Sequence, residues 1–563
     1  MKRVLLYLYI TLSGLSLNAS AQSQNHNFST AQALDIFNSL FRDLDLYYVD
    51  TLDAGFLMET AIDAMLNELD PYTEFYKEQD TNELRTLTTG KYAGIGSPIF
   101  WRKDCDRCVF NSPYEHMPAS KAGVRTGDII MKIDGKDVDK CGSRQPSDYT
   151  SDISARLRGE AGTILRLAVK RPGHKGLIEM EIRRENIKRP SVAYTAVLDT
   201  VRTQGTKLGY IFLESFTEET ANDFSFAFKS LKSQGVEGLV LDLRGNGGGV
   251  MQQAVEVVSN FLPRGSKVLE TRGREESENK VIKTMTQPVD VEIPVVVLVD
   301  YGTASASEIT SGALQDYDRA VIVGQRTYGK GLVQSPRRLP YNTMMKFTSS
   351  KYYIPSGRCV QARDFKHRGA DGQPLHLPDS LCRTFHTQAG RPVKDGGGIT
   401  PDIVIRLDSL PSMLAYLELS DECFDYCVNY RNTHETIAPP EEFHLSDAEF
   451  EDFKAYMRES GFTYDNRTKN ALDYVRNLAR QEGYADEAKA EFDALEAKLV
   501  RNLSDDLQHW QKEVRSSLET AIIGTYYYEH GMMTYALKDD PILDEAVRIL
   551  CHPEEYQRIL KGK

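Results

Sequence analysis

Positive charge is what this chain lacks first: 68 Lys and Arg face 81 Asp and Glu, a formal net charge of −13 at pH 7. Non-specific nucleic-acid binding needs a basic footprint, so the balance argues against that class of function. Glycine (40) and proline (22) stand near ordinary levels and without pattern, which excludes collagen-like and low-complexity chains. No repeat of fixed period is evident. After the first residues no long apolar run follows, so nothing downstream reads as a membrane span. What is present is sufficient for folding. At 41% hydrophobic over 563 residues, the chain can build several cores, and its length implies about three to five domains.

The one apolar run is N-terminal. Lys2 and Arg3 precede Val4 to Leu17, and Ala19-Ser20-Ala21 follows with the small-x-small spacing of a signal-peptidase site. The run is shorter than the roughly 20 residues a bilayer requires; an uncleaved anchor is the alternative. No cysteine stands at the cleavage site, which argues against a lipoprotein. Residues 1–21 therefore read as a signal peptide, and the protein as exported to the periplasm or cell envelope.

Export changes how the eight cysteines are read, because disulfides persist outside the cytoplasm. Cys105 and Cys108 form a lone C-x-x-C with no second pair for zinc and no thioredoxin-like context, leaving a local disulfide or two free thiols. Cys359 and Cys382 flank a stretch with His367 and His376, and His386 follows. A loop staple between the two cysteines is favoured over zinc.

Residues 22–88 carry helical periodicity. Ser29-Thr30 can cap a helix with Leu34, Phe37, Leu40 and Phe41 on one face, and a second helix spans about Gly55 to Leu69. Two short helices enclose no core, so this segment must pack on another domain or subunit. Residues 89–185 look β-rich and Gly-punctuated. From 186 to 408, apolar strands (Leu208–Phe212, Gly238–Leu243, Ile293–Val299) alternate with helices (Ala221–Ser233, Gln252–Phe261, Ser305–Asp316), the pattern of an α/β core. Residues 409–563 turn helical: Ser446 and Glu449 have capping-box spacing, and 466–500 and 503–536 read as long amphipathic helices.

Three stretches carry chemistry. In VVVLVDYGTASASEITSGALQD (295–316) an apolar strand ends at Asp300, and a turn delivers Ser305 at the mouth of a helix. Such a strand–turn–helix lifts a nucleophile above a sheet edge, with helix N–H groups beside it for an oxyanion. A plain helix cap is the bland alternative. Serine needs a base, and no histidine has a suitable context. Lys330, between two glycines in GQRTYGKGLVQ (324–334), is the candidate, provided desolvation brings its pKa toward neutrality. The third stretch, LVLDLRGNGGGV (239–250), runs an apolar strand into a Gly-rich loop whose amides can converge on an anion. It lacks the terminal Gly-Lys-Ser/Thr of a P-loop and the spacing of a dinucleotide site.

These motifs closely resemble the C-terminal-processing (tail-specific) serine peptidases. Thr303-Ala-Ser-Ala-Ser-Glu-Ile309 matches the family's nucleophile segment, with Ser305 at the reactive position. Gly329-Lys-Gly-Leu-Val-Gln334 matches its base segment, with Lys330 as base. The resemblance implies that Glu308 and Gln334 orient that pair, and that the N–H groups of Gly248 and Ala306 form the oxyanion hole. Gly247 stands where the family more often has proline. Leu69-Asp-Pro-Tyr-Thr73, Lys351-Tyr-Tyr-Ile-Pro-Ser-Gly357 and Gly397-Gly-Ile-Thr-Pro-Asp402 extend the match to roughly residues 65–405. Within it, 89–185 is similar to a PDZ domain. Tyr92-Ala-Gly-Ile-Gly96 stands at the carboxylate-binding loop, implying that Gly94, Ile95 and Gly96 receive a peptide C-terminus. Pro118-Ala-Ser-Lys-Ala-Gly-Val124, Gly127-Asp-Ile-Ile130 and Asp134-Gly135 follow in order. An insertion at 101–112, with Cys105 and Cys108, departs from the short family loop.

The implied architecture is multidomain α/β: a crotonase/ClpP-like protease core with an inserted PDZ domain and helical extensions at both ends. The implied activity is that of an exported Ser–Lys endopeptidase acting near substrate C-termini, with no cofactor and no metal. Its partners would be proteins or peptides with free, apolar C-termini, and the terminal helices would build a homodimer or higher oligomer. Two alternatives stay open: a non-catalytic PDZ scaffold, which would not need Ser305 with Lys330, and a crotonase-like acyl-CoA enzyme, disfavoured by export.

Overall fold

The computed structural model describes residues 28–78, 91–369, 372–407 and 410–562. The expected signal peptide lies outside them. The chain divides into two compact units.

The first unit combines the N-terminal segment up to Glu78 with residues Gln334–Thr348. Residues 28–47 are helical. Ser29 and Thr30 lie inside that helix rather than capping it, since residue 28 is already helical. Leu34, Phe37 and Leu40 are exposed along it, and Phe37 stacks on Phe41. The second helix, Ala54–Asn67, is capped by Asp53, whose carboxylate accepts the Phe56 N–H. Asp70 then accepts from Tyr72 N–H and the Thr73 hydroxyl. That turn leads into the short strand Glu74–Tyr76, antiparallel to Met344–Lys346.

The second unit contains the α/β core. Its sheet has six strands in the order Val192–Val197, Leu208–Leu213, Gly238–Asp242, Val295–Val299, Val321–Gly324, Ile403–Val404. The first pair is antiparallel and the rest are parallel. Parallel strands are covered on both faces, which is why Val295–Val299 is uniformly apolar and uniformly buried. Helices Thr220–Ser233, Met251–Val258 and Ala306–Asp316 pack into one cluster with Leu241, Val295 and Val297. The opposite face is covered from the far end of the chain: Leu543, Ala546, Ile549 and Leu550 pack on Val240, Val296, Leu298 and Val323.

The β-rich module holds strands Ile99–Arg102, Arg107–Phe110, Ile129–Ile133, Ile164–Lys170 and Ile178–Arg183, in that order. Alternation along Ile164–Lys170 puts Leu165, Leu167 and Val169 into a core with Phe110, Ile130, Tyr149 and Ile153. Helices Ser412–Glu418, Asp421–Thr433, Asp447–Glu459, Leu503–His509 and Gln511–Ala536 form their own cluster around Phe450, Phe453, Leu518 and Ile522. Ser446 and Glu449 make the expected capping box. The two long helices expected over 466–536 are instead four: Arg467–Glu482, Lys489–Leu499, Leu503–His509 and Gln511–Ala536. Gly483, left-handed at φ 85°, ends the first. Helix Asp421–Thr433 reaches the β-rich module: Asp425 pairs with the buried Arg102, Phe424 meets Phe100 edge-on, and Asn432 donates to the Pro172 carbonyl.

The eight cysteines are free thiols, so the expected Cys359–Cys382 staple is not formed. Gly396 lies between the two: its N–H donates to the Cys359 carbonyl, while the Cys382 thiol meets the Gly396 carbonyl at 2.9 Å.

Candidate active site

The strand Val295–Val299 delivers its last residues to a tight turn. Asp300 Oδ1 accepts the N–H groups of Gly245 (2.9 Å), Gly302 (2.9 Å) and Thr303 (3.0 Å), tying this turn to the Gly-rich loop. Ser305 follows at φ 54°, ψ −111°, outside the regions comfortable for a residue with a Cβ, and helix Ala306–Asp316 begins directly after it. As the first residue of that helix, Ala306 has an N–H without an intrahelical partner. Ser305 is half-buried; the helix behind it is buried throughout.

Lys330 lies on a second loop, also half-buried. Its flanking glycines are demanded by packing. A Cβ on Gly329 (φ +84°) would lie 2.4 Å from the Ala362 Cβ, and one on Gly331 would lie 2.7 Å from Gln361 N. The Gly331 N–H donates to Gln361 Oε1 at 2.8 Å.

Two buried side chains hold the serine and lysine loops together. Glu308, 0% exposed, accepts Ser305 N–H (2.9 Å) and Lys330 N–H (2.8 Å) on Oε2. Its Oε1 accepts Gly329 N–H (2.8 Å) and the Thr327 hydroxyl (2.5 Å). Burial nonetheless raises the Glu308 pKa above the ordinary carboxylate value, outweighing the hydrogen bonds that lower it. From the other side, the Tyr352 hydroxyl donates to the carbonyls of Lys330 (2.8 Å) and Ser305 (3.3 Å).

The Gly-rich loop closes against the serine. Gly248 has φ +97°, and a Cβ there would sit 2.7 Å from Ala304 O, 2.8 Å from Ser305 Cβ and 2.9 Å from Ala306 N. Only glycine allows that approach. The Gly248 N–H, expected as an oxyanion donor, is engaged: it donates to Asn246 Oδ1 at 2.9 Å. Asn246 is itself fixed, donating from Nδ2 to the Leu213 carbonyl and accepting Ala304 N–H and the Ser307 hydroxyl on its own carbonyl.

Residues 207–367 match the family model described as peptidase family S41, residues 109–171 a PDZ domain, and residues 413–550 a probable PDZ-protease C-terminal helical domain. The chain is 35% identical over 366 residues to a carboxy-terminal-processing protease of Bartonella bacilliformis, covering 64% of this chain and 80% of that one. It is 30% identical over 373 residues to a probable CtpA-like serine protease of Staphylococcus haemolyticus, covering 66% and 70%. The chain belongs to peptidase family S41. Among solved structures it is similar to the photosystem II D1 C-terminal processing protease: 28% identity, 67% of this chain, 93% of that one, TM-score 0.34.

The S41 core thus brings Ser305, Glu308, Lys330, Ala306 and Gly248 to one place. Gln334 belongs to the first unit, where its side-chain amide donates to Thr348 Oγ1 at 3.3 Å. In the PDZ domain, Gly94 ends a strand paired with Glu185–Lys188. The carbonyls of Ile95 and Gly96 accept from Ala119 and Tyr114 N–H groups, and Gly96 (φ +74°) leaves no room for a Cβ beside Met117. All three residues of this loop are buried.

Sequence reasoning passed over four residues that shape the site: Tyr352, Asn246, Gln361 and Arg244. Tyr352 stood inside a quoted motif without a role. Arg244 is held between Asp242 and Asp540, both at 2.6 Å, so the C-terminal helical domain touches the Gly-rich loop directly. The C-terminal region, which the resemblance over residues 65–405 does not reach, matches a probable PDZ-protease C-terminal helical domain.

Proposed function

We propose that this S41 peptidase is an exported serine endopeptidase that captures substrate C-termini on its PDZ domain and cleaves near them. One observation carries the mechanism: a single buried carboxylate accepts the N–H groups of both Ser305 and Lys330. Two residues on separate loops are thereby held at one place, which nucleophile and base require. Lys330, in its neutral form, takes the Ser305 proton as Oγ attacks the peptide carbonyl. The Cα of Gly248 and the Ala306 N–H border the space where the oxyanion forms, and Gly248 N–H joins once it turns from Asn246. Protonated Lys330 returns its proton to the leaving amine, and water then releases the acyl-enzyme.

Lys2, Arg3 and the apolar run after them support export to the periplasm or cell envelope. The glycine-punctuated Gly94–Ile95–Gly96 turn, at the end of a strand paired with Glu185–Lys188, supports carboxylate capture; apolar tails are assigned as the substrate class. The exposed apolar side of helix 28–47 supports assembly as a homodimer or higher oligomer. The corresponding division is 22–88, 89–185 for the PDZ domain, 186–408 for the protease core and 409–563 for the helical domain.

The test is cleavage of an unfolded reporter with an apolar tail by wild type, Ser305→Ala and Lys330→Ala. Both variants should lose turnover, and wild-type activity should rise with pH as an amine deprotonates. Undiminished cleavage by either variant removes the dyad; a wild type that binds the tail and never cuts indicates a scaffold instead.

A further inference from the structure

Tyr352 lies in strand Met344–Tyr353, opposite Thr271 of the neighbouring strand, and is 1% exposed. A buried tyrosine ring contributes apolar area wherever it sits, but its hydroxyl must find a partner. Here the partners are the main-chain carbonyls of the two residues assigned as nucleophile and base. The backbone N–H of Tyr352 adds a third bond, to the Gly331 carbonyl at 3.0 Å. One residue therefore grips the lysine loop at consecutive carbonyls and reaches the serine with the same hydroxyl.

We propose that Tyr352 is a positioning residue for acyl transfer: with Glu308 it locks the peptide groups on both sides of Ser305 and Lys330. Glu308 takes the N–H of each residue, and the one Tyr352 O–H hydrogen is shared between their C=O groups, mainly at Lys330, so rotating either backbone disturbs a buried bond. The proposal rests on the Ser305–Lys330 assignment. Such a lock matters most at Ser305, whose φ of 54° has no steric preference to keep it in place. The 2.8 Å bond to Lys330 is the stronger of the two, and the Ser305 carbonyl also accepts Ile309 N–H at 2.9 Å, so the lysine loop should loosen first when the hydroxyl is removed. Burial and the neighbouring Glu308 carboxylate raise the phenol well above its ordinary pKa, which keeps the hydroxyl a donor at every working pH.

Tyr352→Phe removes the hydroxyl and keeps the ring. Tyr556→Phe is the matched control: Tyr556 is also buried, and its hydroxyl bonds the main chain of Val295 at the opposite end of the Val295–Val299 strand from Ser305. Cleavage of the apolar-tailed reporter is measured for both, beside Ser305→Ala and Lys330→Ala, with melting temperatures for all. Tyr352→Phe should lower kcat by about 10- to 100-fold, the scale of a misplacement of roughly 1 Å, with KM within about twofold. Tyr556→Phe should lower the melting temperature comparably and leave kcat unchanged. If Tyr352→Phe yields too little folded protein, the substitution Tyr352→4-aminophenylalanine keeps a weaker donor in place and should give a lower kcat at unchanged KM. A wild-type kcat in whichever Tyr352 variant is assayed, with Ser305→Ala and Lys330→Ala inactive, overturns the positioning role alone. Activity surviving in Ser305→Ala or Lys330→Ala overturns the dyad itself.

Discussion

Replacing Glu308 by glutamine exchanges one carboxylate oxygen for an NH2 group at the centre of the site, and the hydrogen bonds around it set the expected cost. In the wild type, Oε2 serves Ser305 and Lys330 N–H, and Oε1 serves Gly329 N–H and the Thr327 hydroxyl. The glutamine amide does least harm with its oxygen at the Oε2 position. Its NH2 then faces Gly329 N–H, donor against donor, while Thr327 can turn its hydroxyl to accept. One buried N–H loses its partner, about 1–3 kcal/mol, and the two retained bonds lose charge assistance, about 1 kcal/mol each. Relief from burying a carboxylate offsets part of this, leaving a net cost of about 2–4 kcal/mol. The Lys330 loop should shift enough to lower kcat about 10- to 100-fold, and the melting temperature should fall by about 5 °C or more. Titration of the same group gives a second readout. The folded-state pKa is raised, so between the ordinary value of 4.5 and the folded value the native state holds the proton more tightly than the unfolded chain. Its contribution to stability is greatest below 4.5 and declines as pH rises through that window. Melting curves of wild type and Glu308→Gln across pH should differ by that slope. A glutamine variant with wild-type kcat and an unchanged pH slope would refute the assignment of Glu308 as the clamp.

Gly248→Ala should reduce kcat by about 10²- to 10³-fold, because its Cβ would lie 2.7–2.9 Å from Ala304 O, Ser305 Cβ and Ala306 N at a φ of +97°; steady-state turnover near wild type would contradict the placement of the loop. Deleting residues 413–562 should leave an insoluble chain. Ile542, Leu543, Val547, Ile549 and Leu550 are buried against the central sheet, each worth about 1.5–3 kcal/mol, and a soluble, active truncation would show that the core stands without them.

Much of the core was legible because its chemistry is local in sequence. Parallel strands covered on both faces must be apolar runs, so Leu208–Leu213, Gly238–Asp242 and Val295–Val299 were readable as strands to within a residue or two. Ser305 at the start of a helix, Glu308 three positions on, and Lys330 between glycines were all visible as short motifs. The glycines beside Lys330 were read as allowing close packing, and the packing explains them: Ala362 and Gln361 occupy the space a Cβ would need. Other expectations failed for physical reasons. Ser29-Thr30 looked like a cap, but hydroxyl residues are also tolerated within a helix. The region 466–536 looked like two long helices because amphipathic periodicity survives a break at Gly483.

What the sequence alone determined, then, is the order of elements and the short motifs that carry Ser305, Glu308 and Lys330, since side-chain periodicity and turn chemistry act over a few positions. Tertiary structure decided what those residues touch. The Tyr352 hydroxyl lies 47 residues from Ser305 along the chain and 3.3 Å from its carbonyl, and no local pattern encodes such a contact. An amphipathic helix announces that it has an apolar face, not which surface it will cover; that Pro541–Leu550 completes the protease sheet, and that Asp540 grips Arg244, emerges only when the chain is folded. Asn246 likewise takes the Gly248 N–H because the loop curls back on itself, a consequence of backbone geometry that four consecutive residue names leave open.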